Sequence, residues 1–110
     1  MKTFNSIEEL KPYLNEETNT YFFNDDVTFK FDLVVDGNIN SFNINARDIN
    51  ARDINARDII AWNIAAQNIS YYAFCIVYKN FVCESVLGRH DDSIHTCIDG
   101  GIVRGVKYEK

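Results

Sequence analysis

The chain has 110 residues, of which 46% are hydrophobic, 14% aromatic and 25% charged. This length allows one domain with a single core and excludes two independently folded domains. The formal net charge is −5, so the chain lacks the strongly basic composition typical of proteins that bind nucleic acid directly.

Composition also bears on location. No apolar stretch approaches the roughly 20 residues that a membrane span needs, and the start of the chain lacks the basic and apolar segments of a secretory signal. We therefore expect a cytoplasmic protein that does not bind membranes. The odd number of cysteines, three, agrees with reduced thiols in a cytoplasm.

The acidic excess lies in the N-terminal third of the chain. Residues 1–36 contain eight acidic side chains and three lysines, whereas the rest of the chain is balanced. An acidic face either attracts a basic partner or keeps the protein in solution, and on the first reading this third is a predicted partner-binding surface. The acidic residues expected to carry it are Asp25, Asp26, Asp32 and Asp36.

The first predicted element is a short helix near residues 7–17. A strand follows over 20–23, and apolar residues alternate with polar ones across 27–33, which is a β pattern. Asp36-Gly37 is a turn signal. We expect this part of the chain to form a helix and hairpin that cap the segment after it.

From Gly37 onward the chain repeats with a period of five. Isoleucine recurs at every fifth residue over 39–69, and a small side chain follows two positions later over 41–66. This period leaves no apolar stripe on a helix and changes faces at each repeat in a continuous strand. It predicts a chain that turns a corner every five residues, with isoleucine and alanine inside and pairs such as Arg47-Asp48 at the corners.

Two coil sizes fit this period. A four-sided coil of twenty residues places Phe42 on Trp62, aromatic on aromatic, whereas a three-sided coil of fifteen places Phe42 on Arg57 and Arg47 on Trp62. The match of like with like favours four sides, and the three-sided coil remains an alternative. In either coil, Phe42 and Trp62 lie on outward corners, where they are candidate partner-binding residues or are covered by a cap or the N-terminal helix.

Strands are predicted beyond the repeat as well. Residues 71–87 are rich in aromatic and β-branched types, and further strands are expected over 94–98 and 102–108. Tyr71 and Ile76 take the small position of the repeat, so we expect the regular coil to widen or end there.

The isoleucine repeat resembles that of the pentapeptide-repeat family over roughly residues 38–75, although here the large residue precedes the small one. Small uncharacterised proteins of Firmicutes and their mobile elements share the Ile-Asn-Ala-Arg-Asp run and a tail similar to residues 70–79. The resemblance implies a right-handed square β-helix. It also implies a binding role, because some members mimic DNA and occupy a DNA-handling enzyme.

We therefore predict an all-β domain with a small helical cap. A short right-handed β-solenoid over 37–75 lies between an N-terminal cap, 1–36, and a C-terminal β cap, 76–110.

Cysteine and histidine residues cluster in the C-terminal part of the chain, with Arg89 and Asp91 among them. They are Cys75, Cys83, His90, His95 and Cys97, and their separations lack the paired short spacing of structural zinc sites. The expectation is that the cysteines are small buried hydrophobic residues. We predict no catalytic residue, no metal and no cofactor.

The predicted function is non-enzymatic binding of a macromolecule. The resemblance implies an inhibitor, encoded by a phage or mobile element, of a bacterial nucleic-acid enzyme or defence complex, with a protein partner and no direct contact with nucleic acid. One alternative is a homo-oligomeric scaffold joined at the C-terminal end, and another is a small Cys/His metal protein or enzyme. The expected oligomer interface consists of Tyr71, Tyr72, Phe74 and Tyr78.

Overall fold

The computed structural model describes residues 2–104, which form thirteen β-strands and one 3₁₀ helix. In chain order these elements are β1 (Lys2–Phe4), the 3₁₀ helix (Ile7–Tyr13), β2 (Leu14–Asn15), β3 (Thr20–Phe22), β4 (Val27–Phe29), β5 (Leu33–Val34), β6 (Asn38–Asn40), β7 (Asn43–Ala46), β8 (Asp48–Asn50), β9 (Asp53–Ala65), β10 (Asn68–Cys83), β11 (Ser85–Gly88), β12 (Ile94–Cys97) and β13 (Ile102–Arg104).

The strands stack in parallel into three faces around one core. The first face contains β3, β6, the beginnings of β9 and β10, and β11. The second contains β1, β4, β7, the middle of β9 and β10, and β12. The third contains β5, β8, the ends of β9 and β10, and β13. The chain is therefore a β-solenoid of about five coils, and its stacking extends beyond residues 37–75 in both directions.

The strand register gives the size of the coil. Ile39 pairs with Ile54, and every regular pair of the central coils is likewise separated by 15 residues. The four-sided coil is therefore wrong, and the three-sided alternative is confirmed. A triangular coil draws its three isoleucines closer together than a square one, which suits an interior filled by isoleucine and alanine.

The inward positions are those that the period predicts. Isoleucines 39–69 of the repeat are at most 2% exposed, and the small residues that follow them, 41–66, are at most 6% exposed. The residue between each pair points outward. Alternation along each short strand thus decides which side chains enter the core.

The register shifts twice along β10. Cys75 pairs with Ile59 and Phe81 pairs with Ile64, because the corner before each of them contains one extra residue relative to the regular coil. The later coils are therefore longer than the central ones.

These shifts correct one expectation. Val77 rather than Ile76 takes the small position on the second face. Tyr71 does take a small position and is fully buried. Its strand partner on the next coil is Gly88, where an added Cβ would lie 3.0 Å from the Tyr71 hydroxyl.

The N-terminal segment is less helical than expected. The helix ends at Tyr13 rather than near residue 17, and β2 follows it and pairs antiparallel with β3. Pro12 lies in its last turn and donates no backbone hydrogen bond, which weakens further helical growth. The alternation over 27–33 is divided between β4 on the second face and β5 on the third.

Aromatic rings fill the core at the N-terminal end. The Phe4 ring lies 5.3 Å from Phe23, 5.5 Å from Tyr13 and 5.8 Å from Phe29, centroid to centroid. Phe4, Phe23 and Phe29 are buried, so they continue the core below the isoleucine columns. No periodic pattern signals this cluster in the sequence, since its members come from separate segments.

At the opposite end, β11, β12 and β13 each pair in parallel with β10. The strand expected over 102–108 is present as β13, Ile102–Arg104, and its remaining residues lie outside the described part of the chain.

Candidate functional site

The corners present the most varied side chains to solvent, and we number them by the faces they join. The first corner joins the first and second faces, the second joins the second and third, and the third returns the chain to the first. Three consecutive repeats have the identical sequence Asn-Ala-Arg-Asp-Ile. Their exposed arginines are Arg57 at the first corner, Arg47 at the second and Arg52 at the third. Three identical repeats thus place their arginines in three different surroundings.

The second corner carries an exposed tryptophan that packs on a half-buried tyrosine and lies between two cations. Trp62, 48% exposed, lies one coil beyond Arg47, and its backbone N–H donates to the Arg47 carbonyl over 2.8 Å. The Tyr78 ring is 5.0 Å from the Trp62 ring, and the Lys79 ammonium lies 5.8 Å from the same ring centroid. Arg47, Trp62 and Lys79 also line one open cavity of about 360 Å³.

A ladder of side-chain hydrogen bonds supports this corner. Asn63 Nδ2 donates to Asp48 Oδ1 over 2.6 Å, and Asn80 Nδ2 donates to Asn63 Oδ1 over 2.9 Å. The ladder links three coils directly beside Trp62. Trp62 therefore projects from hydrogen-bonded backbone rather than from the tip of a loop.

The first corner alternates cations with aromatic rings. The Arg57 guanidinium lies 4.7 Å from the Phe42 ring centroid, a cation–π contact that the fifteen-residue coil predicts. Tyr72, 47% exposed, occupies the next coil, and its ring is 5.0 Å from the His90 ring.

The third corner is polar. Arg52 lies 4.0 Å from the Asp36 carboxylate. Asn68 Nδ2 donates to Asp53 Oδ1 over 3.0 Å, and the Ser85 hydroxyl donates to Asn68 Oδ1 over 2.7 Å. Aromatic and cationic side chains therefore stack at the first and second corners and not along these coils of the third.

The predicted partner-binding aromatic residues do not share a surface. Phe42 lies at the first corner and Trp62 at the second, so the expected stacking of one on the other is wrong. The physical reason is the fifteen-residue coil, because a separation of twenty moves a residue on by one full coil and one corner.

The four predicted acidic residues are also dispersed. Asp25 and Asp26 belong to the first corner, Asp32 to the second and Asp36 to the third. The Asp26 backbone N–H donates to Asp25 Oδ1 over 2.7 Å, which holds the pKa of Asp25 below its usual value. The acids surround the N-terminal coil and do not form one patch.

The expected oligomer residues separate in the same way. Tyr71 is fully buried and belongs to the core, so its side chain is not available to an interface in this fold. Tyr72 and Phe74 lie at the first corner and Tyr78 at the second, on the sides of the solenoid rather than at its C-terminal end.

The Cys/His cluster divides between core and surface. Cys75 and Cys83 are fully buried and occupy inward positions on the second and third faces, as the expectation of small hydrophobic residues had it. Cys97 is half-buried, and its thiol donates to the Lys79 carbonyl over 3.0 Å. No group of three or more His, Cys, Asp or Glu side chains within residues 2–104 is arranged to hold a metal ion.

The two histidines have separate surroundings. His95 Nδ1 hydrogen-bonds the hydroxyl of buried Tyr71 over 2.5 Å, at the C-terminal end of the core. His90 is exposed and packs on Tyr72.

The burial of Cys75 predicts a dependence of stability on alkaline pH. Burial, with a further contribution from Cys83, raises the pKa of the Cys75 thiol from 9.0 to about 12. Folding keeps this thiol neutral, so its contribution is fully present below pH 9.0 and is lost as the pH rises toward about 12. We expect the thermal unfolding midpoint to fall over this range, and to fall less in Cys75→Val.

Cys97→Val is the matched control, since this thiol is half-buried. Both variants retain the buried Tyr71, whose pKa is raised by burial and further by Cys75, so the change in Cys75→Val combines the thiol with its effect on Tyr71. Equal pH dependence of wild type and Cys75→Val would contradict the prediction.

Sequence reasoning missed the neighbours of Trp62. Tyr78 and Lys79 lie beside it only because the corner after Tyr71 and the corner after Val77 each contain one extra residue. The available signal is the loss of the five-residue period after Ser70, but that loss does not say where the extra residues lie.

Comparisons with known protein families, with curated proteins and with solved structures find no match to this chain. Within residues 2–104, no helix has the length and apolar character needed to span a membrane.

Proposed function

We propose that this protein is a non-enzymatic binding module whose second corner recognises a protein partner. The observation that carries the proposal is the exposed Trp62 ring, packed against Tyr78 and flanked by Arg47 and Lys79. Tryptophan, tyrosine and arginine are the residues that most often dominate the binding energy of protein interfaces.

The rigidity of Trp62 and of the backbone beside it supports the same proposal. A rigid aromatic residue loses little conformational entropy on binding, and the Asp48–Asn63–Asn80 ladder holds the residue that directly follows Trp62. The two cations suit a partner surface that combines an apolar pocket with acidic residues at its rim.

A narrower proposal concerns the identity of the partner. The resemblance of the repeat to the pentapeptide-repeat family supports a bacterial nucleic-acid enzyme or defence complex, with the protein acting as an inhibitor encoded by a phage or mobile element. The acids around the N-terminal coil are a second possible contact for such a partner. They are Asp25, Asp26, Asp32 and Asp36.

The architecture that presents these surfaces is part of the proposal. We propose a right-handed coil whose N-terminal end is capped by the 3₁₀ helix and the β2–β3 pair. Leu10, 1% exposed, supports the cap because it buries an apolar side chain of the helix in the core.

The test is an affinity capture from bacterial lysate with purified tagged baits, quantified by mass spectrometry. We expect a protein captured by the wild type to be lost from Trp62→Ser. Phe42→Ser is the matched control, because Phe42 is a similarly exposed aromatic residue at the first corner. All baits are first shown to unfold at the same temperature.

The outcomes of this capture, with one additional bait, separate the alternatives. Equal loss from both variants, or from neither, would overturn the assignment to the second corner. A bait with the four acids changed to asparagine tests the acidic contact alone. Recovery of this chain only would instead favour the homo-oligomeric scaffold, for which the exposed Leu87 and Ile94 near the C-terminal end are the supporting observation.

A further inference from the structure

The first corner contains a cavity that the proposed protein interface does not use. It has a volume of about 500 Å³ and is lined by Arg57, Tyr72 and Arg89, together with Asp58 and Ala73. The 89–93 loop brings Arg89 to this corner from the last coil, so the sequence repeat alone does not predict the arrangement.

The two guanidinium groups are held in place by different contacts. Arg89 Nη2 donates to the carbonyl of Ala56 over 2.7 Å, and its Nη1 donates to Asn55 Oδ1. Arg89 therefore reaches the residue that directly precedes Arg57. Arg57 rests on the Phe42 ring, and no hydrogen bond or ion pair engages its guanidinium within residues 2–104.

This arrangement places like charges at one cavity. Asp58 is the acidic residue of the lining, and neither arginine forms an ion pair with it in the described part of the chain. Two guanidinium groups that line one cavity repel each other, and an anion bound between them relieves that repulsion. The guanidinium group offers paired N–H donors that match the oxygens of a phosphate.

Tyr72 adds a flat apolar surface to the same cavity. Its ring is 47% exposed, and His90 contacts it at a centroid distance of 5.0 Å. A planar ring attached to the phosphate would stack on an exposed aromatic side chain of this kind.

We propose that the first corner binds a phosphate monoester that carries a planar ring, the chemistry of a mononucleotide. Arg57 and Arg89 bind the phosphate oxygens and Tyr72 stacks on the ring. This site is separate from the proposed protein interface, so either can fail without the other.

The experiment is a titration of the intact protein with three probes, and binding is measured by NMR chemical shifts or by calorimetry. The probes are adenosine monophosphate, inorganic phosphate and adenosine. We expect saturable binding of the monophosphate, weaker binding of phosphate and the weakest binding of adenosine. Added salt is expected to weaken the binding of both anions.

Matched variants locate the site. Arg57→Gln is expected to weaken monophosphate binding about tenfold or more, since it removes charge-assisted hydrogen bonds. Arg52→Gln, in an identical repeat at the third corner, should leave binding unchanged. Tyr72→Leu should weaken the binding of the monophosphate and leave the binding of inorganic phosphate unchanged.

Three results would overturn the proposal. The first is that neither inorganic phosphate nor adenosine monophosphate binds saturably. The second is that Arg57→Gln and Arg52→Gln weaken monophosphate binding equally. The third is that Arg57→Gln leaves monophosphate binding unchanged. Equal affinity for inorganic phosphate and the monophosphate would overturn the stacking role of Tyr72. Thermal unfolding of each variant confirms that it is folded before its titration is interpreted.

Discussion

Ile59→Ala is expected to destabilise the protein by about 2–5 kcal/mol, whereas Ile60→Asn should cost only about 1 kcal/mol. The two residues are adjacent, but Ile59 is 0% exposed and belongs to the inward column of the second face. Removing its side chain loses apolar burial and leaves a cavity between the coils above and below.

Ile60 occupies the outward position between Ile59 and Ala61. Its partner on the preceding coil is Asn45, so an asparagine already occupies the equivalent place in the fold. Urea unfolding of the two variants, monitored by circular dichroism, measures the difference. Similar losses of stability in Ile59→Ala and Ile60→Asn would contradict the assignment of Ile59 to the inward side and Ile60 to the outward side.

Gly37→Ala is expected to destabilise the protein by about 1–3 kcal/mol through overpacking. A Cβ at this position would lie 2.9 Å from the Asn19 side-chain Cγ and closer still to the Asn19 backbone oxygen. That oxygen accepts a hydrogen bond from the Asn38 N–H over 2.9 Å, so it cannot move away without weakening the pairing of β3 with β6.

Gly101→Ala is the matched control, because a Cβ there meets no atom within 4 Å. Its effect should stay within about 0.5 kcal/mol. Thermal and urea unfolding of both variants provide the measurement. A Gly37→Ala protein as stable as Gly101→Ala would show that the Asn19 turn adjusts freely.

The three identical Asn-Ala-Arg-Asp-Ile repeats show how position in the coil assigns function to equal sequences. Arg57 stacks on Phe42 and lines a cavity with Arg89, Arg47 lies one coil before Trp62, and Arg52 approaches Asp36. A comparison of the three arginine-to-glutamine variants therefore separates the two proposed sites, since their local sequence is the same.

The inward columns of the solenoid could be predicted from the sequence because they depend only on local geometry. Extended backbone places residues two apart on one side, so a five-residue period assigns isoleucine and alanine to the core whatever the number of sides. The positions of Asp and Asn at corners follow equally from local turn preferences.

The candidate sites could not be predicted in this way. They depend on which residues of successive coils stack on one another, and the stacking depends on the number of sides and on extra residues in the corners. Tyr78 and Lys79 join Trp62 through two such residues, and Arg89 reaches Arg57 through the 89–93 loop.

The β-solenoid with isoleucine and alanine inside follows from local sequence, because alternation and turn formation act over a few residues. The three sides of the coil and the placement of Phe42 and Trp62 at different corners are properties of the folded chain. These features depend on how whole coils pack around a shared interior, and the fit of many side chains decides that packing together.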